Sequence, residues 1–385
     1  MKIIIVTAAY NEKENIGKFI SIVMEEVFPK IKNHDMHLLV ADDTSPDGTG
    51  DIVKENIKKY SHLHLNSGPK KGLGAAYVRA MSYAIEQLGA DVVISIDADL
   101  QHDPRSIPAF IQKLEEGYDL VSGTRYSDGG SMPENWPFHR KCFSVIGNLL
   151  VRTITGRFYL HDWTGGFRAI KKEVFLKERE KIRPFQGYTF QVAFLYKSIL
   201  DGYKAGEVPI HFESRKSGDS KIAPLEYIIN LLKYVITERI YELQRFIKFL
   251  IVGGTGFLVQ VIMQELSIRI GILHTISAGI GAEGAIISNF LFNHVWTFSD
   301  TKHIHKSGNV WIKFIKFNVA SLGSIFIQAI AVGVSENIFG VSMHILSYTV
   351  PTRLVILFPT IIFIVIPLNY IIYNKLIWKT QYLKK

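Results

Sequence analysis

Four long apolar stretches in the last 140 residues constrain this 385-residue chain more than any other feature of its sequence. They cover about 246–268, 275–298, 314–335 and 353–374. Each approaches the roughly 20 residues that an α-helix needs to cross the hydrocarbon of a bilayer. Core helices of a soluble protein would have to occur four times in succession with almost no charge inside them. We therefore predict a four-helix transmembrane domain over residues 246–385.

Basic residues are concentrated in the same part of the chain. Residues 246–385 hold eleven Lys/Arg and four Asp/Glu, which is +7 of the total formal charge of +9. This excess in the apolar half indicates a membrane surface and membrane lipids as partners, and no nucleic acid. The loop near 299–313 and the C-terminus carry most of the lysines, whereas the loop near 336–352 has no Lys or Arg. By the positive-inside rule we expect a multi-pass protein of the cell membrane, with both termini and the first part of the chain in the cytoplasm.

Residues 1–223 have the pattern of an α/β domain. Apolar, β-rich segments alternate with helical patterns; the strand segments are KIIIVTAAY, MHLLVADD, HLHLN, DVVISIDAD and DLVSGTRY. This alternation predicts a mainly parallel sheet covered on both faces, with ligands outside the carboxyl ends of the strands. Residues 224–245 are predicted to form amphipathic interfacial helices that join the two domains.

Polar and acidic residues follow three of these strands. Tyr10 and Glu12 follow the first, Asp42 ends the second, and Asp97 and Asp99 end the fourth. Because the carboxyl ends of parallel strands meet at one edge of a sheet, we expect one cleft there. Two carboxylates so close repel each other unless a cation lies beside them.

The oxygen ligands of this edge predict the cation. The Asp-x-Asp pair with Gln101 offers oxygen atoms only, which suits Mg²⁺ or Mn²⁺ bound together with a substrate diphosphate. A substrate that carries phosphate needs cationic partners. Among several basic segments, Arg125 after the fifth strand and Arg215 in ESRKSGDSKI are the better candidates.

Seven motifs in order resemble a known family: AAYNEKENI, VADDTSPDGTG, GLGAAYVRAM, DADLQHDP, DWTGGFRAI, GYTFQ and EVPIHFESRKSGDSKI. Together they resemble the dolichol-phosphate mannose synthases of the family 2 glycosyltransferases, over residues 1 to about 225. The resemblance implies a GT-A, nucleotide-diphosphosugar transferase fold. RFIKFLIVGGTGF and FNHVWTF resemble the four-helix GtrA-like membrane domain.

The resemblance also implies roles for individual residues. The nucleotide pocket would be lined by Ala8, Tyr10, Glu12, Val40 and Asp42. The metal would be held by Asp97, Asp99 and Gln101, with Ala98 beside the donor diphosphate, which Arg215 and Lys221 would clamp. Gly187 and Gln191 would lie by the sugar and acceptor, and Arg125, Arg140 and Ser144 would receive the lipid phosphate. The catalytic set would be Asp99, Arg125, Arg140 and Gln191. Where the family usually has Pro-Thr before Tyr-Asn-Glu, this chain has Ala8-Ala9, which predicts a less rigid loop.

The implied reaction is metal-dependent transfer of mannose from GDP-mannose to dolichyl (polyprenyl) phosphate, with inversion. The acceptor phosphate has a second pKa of about 6, so the nucleophile needs no general base. One alternative is a UDP-glucose-dependent polyprenyl-phosphate glucosyltransferase. Another, from a different class, is a lipid-linked sugar translocator whose first domain only binds a sugar nucleotide. A processive polysaccharide synthase fits poorly, because the chain has no Gln-x-x-Arg-Trp motif.

Overall fold

The first part of the chain is organised around one seven-stranded sheet. The strands are β1 (Lys2–Ala9), β2 (Asp35–Asp42), β3 (Leu63–Ser67), β4 (Val92–Ser95), β5 (Leu120–Thr124), β6 (Arg168–Lys171) and β7 (Ala205–Pro209). Their spatial order is β3-β2-β1-β4-β6-β5-β7, and β6 is antiparallel to both of its neighbours. The predicted α/β fold with a mainly parallel sheet is confirmed, and so are its first five strands. β6 and β7 were not predicted.

The structure is a computed structural model that describes residues 1–214, 224–299, 309–345 and 348–378. The chain divides into two units, Met1–Arg239 and Ile240–Lys385.

Helices cover both faces of the sheet. They are α1 (Lys13–Ser21), α2 (Thr49–Lys59), α3 (Leu73–Glu86), α4 (Ile107–Glu115), α5 (Phe138–Thr155), α6 (Lys172–Ile182) and α7 (Gly187–Leu200). Alternate residues of β1 enter two different cores, with Ile4 among residues of α3, α6 and α7 and Ile5 among residues of α1, α2 and α4. The apolar run of this strand follows from burial on both faces, which is typical of a parallel strand.

The second part of the chain is made of long apolar helices. They are α8 (Pro224–Arg269), α9 (His274–Phe292), α10 (Val310–Phe339), α11 (Thr352–Thr360) and α12 (Ile366–Ile372), with a hairpin of β8 (Ser342–Ile345) and β9 (Tyr348–Pro351). Among the described residues, three helical segments are long and apolar enough to cross a membrane: Ile229–Arg269, Val310–Phe339 and Val355–Ile377. The second predicted span corresponds to α9 and the π-helical turn after it, Asn293–Thr297.

Helix α8 combines two elements that the sequence analysis separated. The predicted interfacial segment 224–245 and the first predicted span are parts of this one helix of 46 residues. At 1.5 Å per residue its length is roughly 69 Å. The hydrocarbon core of a bilayer is about 30 Å thick, so part of α8 must lie outside it.

The second unit contains two prolines in its last apolar helix and a close approach of two other helices. Pro359 and Pro367 lie on either side of a π-helical turn, Ile361–Val365, which interrupts the last apolar helix. A Cβ on Gly281 would lie 2.6 Å from the backbone oxygen of Gln260, so α8 and α9 approach closely where glycine leaves room.

Candidate active site

The carboxyl ends of β2, β1 and β4 lie side by side, because these strands are neighbours and run parallel. The loops beyond these ends contain residues with unusual backbone conformations. Among the described residues, the non-glycine residues with positive φ are Asn11 (58°), Thr44 (54°) and Leu100 (58°), one after each of the three strands. Such conformations cost energy and concentrate at functional sites. This edge of the sheet is therefore the candidate active site.

Asp97 and Asp99 lie in the turn that follows β4. The Tyr77 hydroxyl on α3 donates a hydrogen bond to Asp97 Oδ1 at 2.7 Å. Burial, and then the charge of Asp97, raise the pKa of Tyr77 well above its ordinary value, so this hydroxyl stays a donor. Asp99 is buried, and its Oδ1 accepts a hydrogen bond from the Gln101 backbone at 3.1 Å. Ala98 between them is buried in the core of the sheet.

The ligand atoms of this turn fit a hard divalent cation. Asp97, Asp99 and Gln101 present carboxylate and amide oxygens, the type of ligand that Mg²⁺ and Mn²⁺ prefer. Nδ1 of His102 lies 3.9 Å from Asp97 Oδ2.

The segment that precedes Arg215 is paired with this turn. The Glu213 backbone N–H donates to the Gln101 carbonyl at 2.8 Å, and Gln101 Nε2 donates to the Glu213 carbonyl at 3.1 Å. His102 and Phe212 form an adjacent antiparallel bridge. The pairing with Gln101 therefore ends at Glu213, two residues before Arg215 in the sequence. Arg215 and Lys221 themselves lie outside the described residues.

Aromatic rings connect this turn to the predicted acceptor arginines. Phe212 lies 4.7 Å from His102 and 5.7 Å from Trp136, both between ring centroids in edge-to-face contact. The Arg125 guanidinium lies 5.3 Å from the Phe212 ring, and that of Arg140 lies 4.0 Å from the Trp136 ring. Arg125 and Arg140 each lie over one ring of the Phe212–Trp136 pair, where cation–π attraction holds them.

His102 is neutral in this setting. It is only 4% exposed, and its burial lowers its pKa to about 4. Among the described residues, Nδ1 of this ring has no hydrogen-bond partner. The ring packs against Phe167 and Phe212. These contacts make His102 a packing residue that fixes the turn next to Gln101.

Arg125 follows β5 and is held by a buried carboxylate. Its Nε donates to Asp162 Oδ2 at 2.6 Å and its Nη2 to Asp162 Oδ1 at 2.9 Å. Nη2 also donates to the Thr164 hydroxyl at 2.9 Å. The Arg125 charge lowers the pKa of Asp162, against the effect of complete burial. The arginine is therefore fixed in one orientation.

The remaining predicted acceptor residue lies beside Arg125. Ser144 of α5 and the Tyr126 hydroxyl are 2.5 Å apart. The Tyr126 ring in turn lies 5.1 Å from the Arg125 guanidinium. Asn148, one turn after Ser144, donates to the Ser144 carbonyl and accepts from the Trp163 backbone. The helix that carries Arg140 and Ser144 is thereby joined to the loop that carries Asp162.

Gln191 lies close to the acidic turn. A Cβ on Gly166 would be 3.4 Å from Gln191 Nε2 and 3.6 Å from Asp97 Oδ2, so the two side chains meet at this glycine. The Gln191 backbone oxygen accepts a hydrogen bond from Arg168, which is fully buried and whose pKa burial lowers to about 9. Gly187 begins the same helix with φ 55°, at its exposed end.

The predicted nucleotide side of the site is built on two connected loops. Successive backbone N–H groups of Asn11, Glu12 and Lys13 donate to the side chains of Ser45, Thr49 and Asp47, each at 3.0 Å. These bonds restrain the loop after Ala8-Ala9, where the sequence predicts lower rigidity.

The other residues predicted for the nucleotide pocket differ in how they could contact a ligand; they include Tyr10, Asp42 and Val40. The Tyr10 ring lies 3.5 Å from the Lys70 ammonium. Asp42 accepts from the Ser45 hydroxyl at 2.5 Å. Val40 is fully buried, so any contact with a nucleotide has to come from its backbone, whereas Ala8 is partly buried.

Sequence reasoning missed four residues that shape the site: Tyr77, Trp136, Asp162 and Phe212. Tyr77 and Asp162 lie in the motifs GLGAAYVRAM and DWTGGFRAI. The family resemblance includes both motifs but assigns no role to these two side chains. Asp162 begins the segment DWTGG, but nothing in that segment identifies Arg125 as its partner. Phe212 lies in the motif EVPIHFESRKSGDSKI, again without a role for its side chain, and Trp136 lies in none of the seven motifs. The contacts of both residues join parts of the chain far apart in sequence.

Comparisons with known proteins agree with the two-part organisation. Residues 4–178 match the model of glycosyl transferase family 2, and residues 248–378 match that of the GtrA/DPMS transmembrane domain. A dolichol-phosphate mannosyltransferase of Pyrococcus furiosus is 32% identical over 341 residues, which cover 86% of this chain and 89% of that protein. A polyprenol monophosphomannose synthase of Mycolicibacterium smegmatis is 33% identical over 222 residues, covering 57% of this chain and 80% of that protein.

One solved structure covers both parts of the chain. A mannosyltransferase of Pyrobaculum calidifontis, in complex with GDP-Man and Mn²⁺, aligns with a TM-score of 0.39 at 16% identity, covering 83% of this chain and 80% of that one. This similarity is too low to carry an inference about ligands. The relative from Pyrococcus furiosus matches over nearly its whole length, so the chain belongs to the glycosyltransferase family that includes dolichol-phosphate mannosyltransferase, and it is a membrane protein.

Proposed function

We propose that this enzyme transfers mannose from GDP-mannose to a polyprenyl phosphate such as dolichyl phosphate, in a metal-dependent reaction that inverts the anomeric centre. One observation carries the proposal: Phe212 and Trp136 join the turn of Asp97, Asp99 and Gln101 to the arginines Arg125 and Arg140. A donor diphosphate at the acidic turn and an acceptor phosphate at the arginines would then be neighbours. Two relatives are named as a dolichol-phosphate mannosyltransferase and a polyprenol monophosphomannose synthase, which favours this acceptor and sugar.

On the donor side, Asp97, Asp99 and Gln101 would hold Mg²⁺ or Mn²⁺. When bound, such an ion supplies positive charge to the donor diphosphate. Tyr77 orients Asp97 through its hydrogen bond of 2.7 Å. Arg215 and Lys221 are proposed to bind the same diphosphate from the segment that begins beside Gln101. Tyr10, Glu12 and Asp42 are proposed to hold the nucleoside.

On the acceptor side, Arg125, Arg140 and Ser144 would bind the lipid phosphate. An oxygen of this phosphate attacks the anomeric carbon of mannose, and the bond from that carbon to the diphosphate oxygen breaks with its electron pair, so that GDP leaves. The phosphate is a dianion near neutral pH, so no proton has to be removed from the nucleophile. This agrees with a neutral, buried His102. Gln191 would position the sugar between the two sides.

The proposed reaction takes place at the cytoplasmic face of the cell membrane. By the positive-inside rule, the basic residues of the loop near 299–313 and of the C-terminus favour a cytoplasmic position for these segments and for residues 1–223. Residues 224–245 would lie at the interface as the first part of α8, and residues 246–385 would form the membrane domain.

A donor panel tests the proposal. The purified protein is incubated with polyprenyl phosphate, Mg²⁺ or Mn²⁺, and radiolabelled GDP-mannose, UDP-glucose or UDP-N-acetylglucosamine. We expect a mannolipid from GDP-mannose only, loss of product in Asp99→Asn, and little change in Asp51→Asn, an exposed carboxylate of α2. Formation of a glucolipid from UDP-glucose would show that UDP-glucose is the donor and would contradict GDP-mannose. Transfer that persists in Asp99→Asn would exclude the proposed role of Asp99, and absence of product from every donor with the wild type would favour a translocator.

A further inference from the structure

Histidines cluster at the end of the sheet opposite to the active site. Asp35 and His37 belong to the first residues of β2, and His62 immediately precedes β3. In the parallel register of β2 and β3, Leu38 pairs with Leu63, so His37 lies beside His62 at the edge of the sheet. Asp42, at the other end of β2, is seven residues from Asp35, which is roughly 23 Å along a strand.

The three side chains bring one ligand atom each close together. The His37 and His62 rings are stacked, with centroids 4.6 Å apart, so His62 has to rotate for both imidazoles to face one ion. Oδ1 of Asp35 is 3.1 Å from Nε2 of His37 and 4.0 Å from Nδ1 of His62. All three atoms lie within 4.8 Å of one another. Ligand atoms bound tetrahedrally at 2.0–2.2 Å from Zn²⁺ are roughly 3.3 Å apart. The Asp35–His37 pair already has this spacing, and His62 has to approach by about 1 Å.

The surroundings of His37 support a ligand role. Its other ring nitrogen, Nδ1, is 3.0 Å from Nε2 of His64. Metal-bound histidines usually have such a hydrogen-bond partner on the nitrogen that does not bind the metal. Lys2 Nζ is 3.8 Å from Asp35 Oδ2, the carboxylate oxygen that does not face the imidazoles. His62 Nδ1 is 2.9 Å from the Met36 carbonyl, so binding of a metal there replaces this hydrogen bond and requires the tautomer that carries the proton on Nε2.

We propose that Asp35, His37 and His62 form a second metal site, which binds a divalent transition metal of the Zn²⁺ type. Two imidazoles and one carboxylate suit Zn²⁺, Co²⁺ or Ni²⁺, whereas Mg²⁺ and Mn²⁺ prefer the oxygen atoms of the acidic turn. Three protein ligands leave a fourth position for water. The site joins β2 to the edge strand β3, so bound metal stabilises this edge of the folded sheet.

The test uses the full-length protein in detergent, without a polyhistidine tag, after removal of metals by a chelator. Binding of Zn²⁺ alone is measured by titration calorimetry and by metal analysis after gel filtration, and thermal unfolding is followed with and without Zn²⁺. We expect the wild type to bind one equivalent of Zn²⁺ and to have a higher Tm when Zn²⁺ is present. His62→Gln and Asp35→Asn should each lower the affinity for Zn²⁺ by tenfold or more and abolish the increase in Tm. Millimolar Mg²⁺ should not displace this equivalent.

Two control variants make the assignment specific. Asp99→Asn should keep the Zn²⁺ equivalent, because Asp99 lies at the other end of the sheet. His274→Gln, an exposed histidine of the second unit, should also keep it. Loss of Zn²⁺ in Asp99→Asn with retention in His62→Gln would place the ion in the active site and overturn the proposal. Equal binding by wild type, His62→Gln and Asp35→Asn, or no binding by wild type, would overturn it as well.

Discussion

The Arg125 guanidinium and the Asp162 carboxylate form a two-point ion pair, with Nε 2.6 Å from Oδ2 and Nη2 2.9 Å from Oδ1. Asp162 has no exposed surface, and its Oδ1 also accepts from the Thr164 and Gly165 backbone N–H groups. The pair therefore fixes Arg125 at the end of β5 without freedom to rotate. Fixed orientation is what an arginine needs if it is to hold a phosphate in line for a displacement.

Removing one partner of this ion pair should strongly destabilise the folded protein, whereas removing both partners should destabilise it much less. Asp162→Leu leaves a buried arginine unpaired, so we expect it to lower the free energy of unfolding by about 3–5 kcal/mol. The double variant Arg125→Met/Asp162→Leu should recover most of the Tm but not the transfer of mannose. Thermal unfolding and radiolabelled transfer are measured on the same preparations. Wild-type turnover in the double variant would exclude a role for Arg125 in acceptor binding.

Tyr77→Phe should weaken metal binding while the fold is retained. The hydroxyl donates to Asp97 at 2.7 Å, and such supporting partners typically contribute 10- to 100-fold to metal affinity. We expect the Mn²⁺ concentration for half-maximal transfer to rise by about this factor with little change in Tm. Tyr83→Phe, on the same helix and half-buried, is the matched control. An unchanged Mn²⁺ dependence in Tyr77→Phe would contradict a supporting role.

The elements that the sequence revealed are those with strong local patterns. β1, β2 and β4 are apolar segments that end in polar residues, and their neighbouring parallel ends follow from the alternation of strands and helices. β6 consists of only four residues and begins with the buried Arg168, so it has no apolar run. β7 contains a glycine and ends at Pro209, so its sequence also lacks the pattern of a strand.

The parts of the site that could not be predicted depend on contacts between distant segments. Arg125 and Asp162 are 37 residues apart, and Gln101 and Glu213 are 112 apart. Nothing in the sequence around either partner specifies the other, because a buried ion pair is selected by the whole fold. For the same reason the three ligand residues at the amino ends of β2 and β3 have no recognisable spacing.

Helix α5 exposes an apolar face that should contact the membrane. Phe143, Ile146, Leu149 and Leu150 are between 36% and 52% exposed, and they recur at the spacing of one helical face. The double substitution Ile146→Ser/Leu149→Ser should reduce transfer to polyprenyl phosphate in vesicles and spare transfer to a short-chain acceptor in detergent. Leu176→Ser, an exposed leucine of α6, should change neither activity. Equal losses with both acceptors would indicate damage to the site instead.

Two glycines of the membrane unit should differ sharply in their tolerance of a methyl group. Gly281→Ala places a Cβ 2.6 Å from the Gln260 backbone oxygen, which cannot move without shifting α8. We expect a loss of about 1–3 kcal/mol in stability, seen as a lower Tm in detergent. Gly253 has no atom within 4 Å of such a Cβ, so Gly253→Ala should be neutral or slightly stabilising. Equal Tm values for the two variants would argue against close packing of α8 and α9.

Glu178 on α6 should make the stability of the protein depend on pH near neutrality. Its side chain has no exposed surface, and burial first, then the neighbouring Asp201, raise its pKa from 4.5 to about 7. A raised pKa in the folded state means that the folded protein binds the proton more tightly than the unfolded chain does. The resulting stabilisation is complete below pH 4.5 and is lost as the pH rises through about 7. We therefore expect the wild-type Tm to fall between pH 5 and pH 8, and to fall less in Glu178→Gln, which stays neutral. Glu173→Gln, an exposed glutamate of the same helix, should follow the wild type; the same slope in Glu178→Gln would show that another group is responsible.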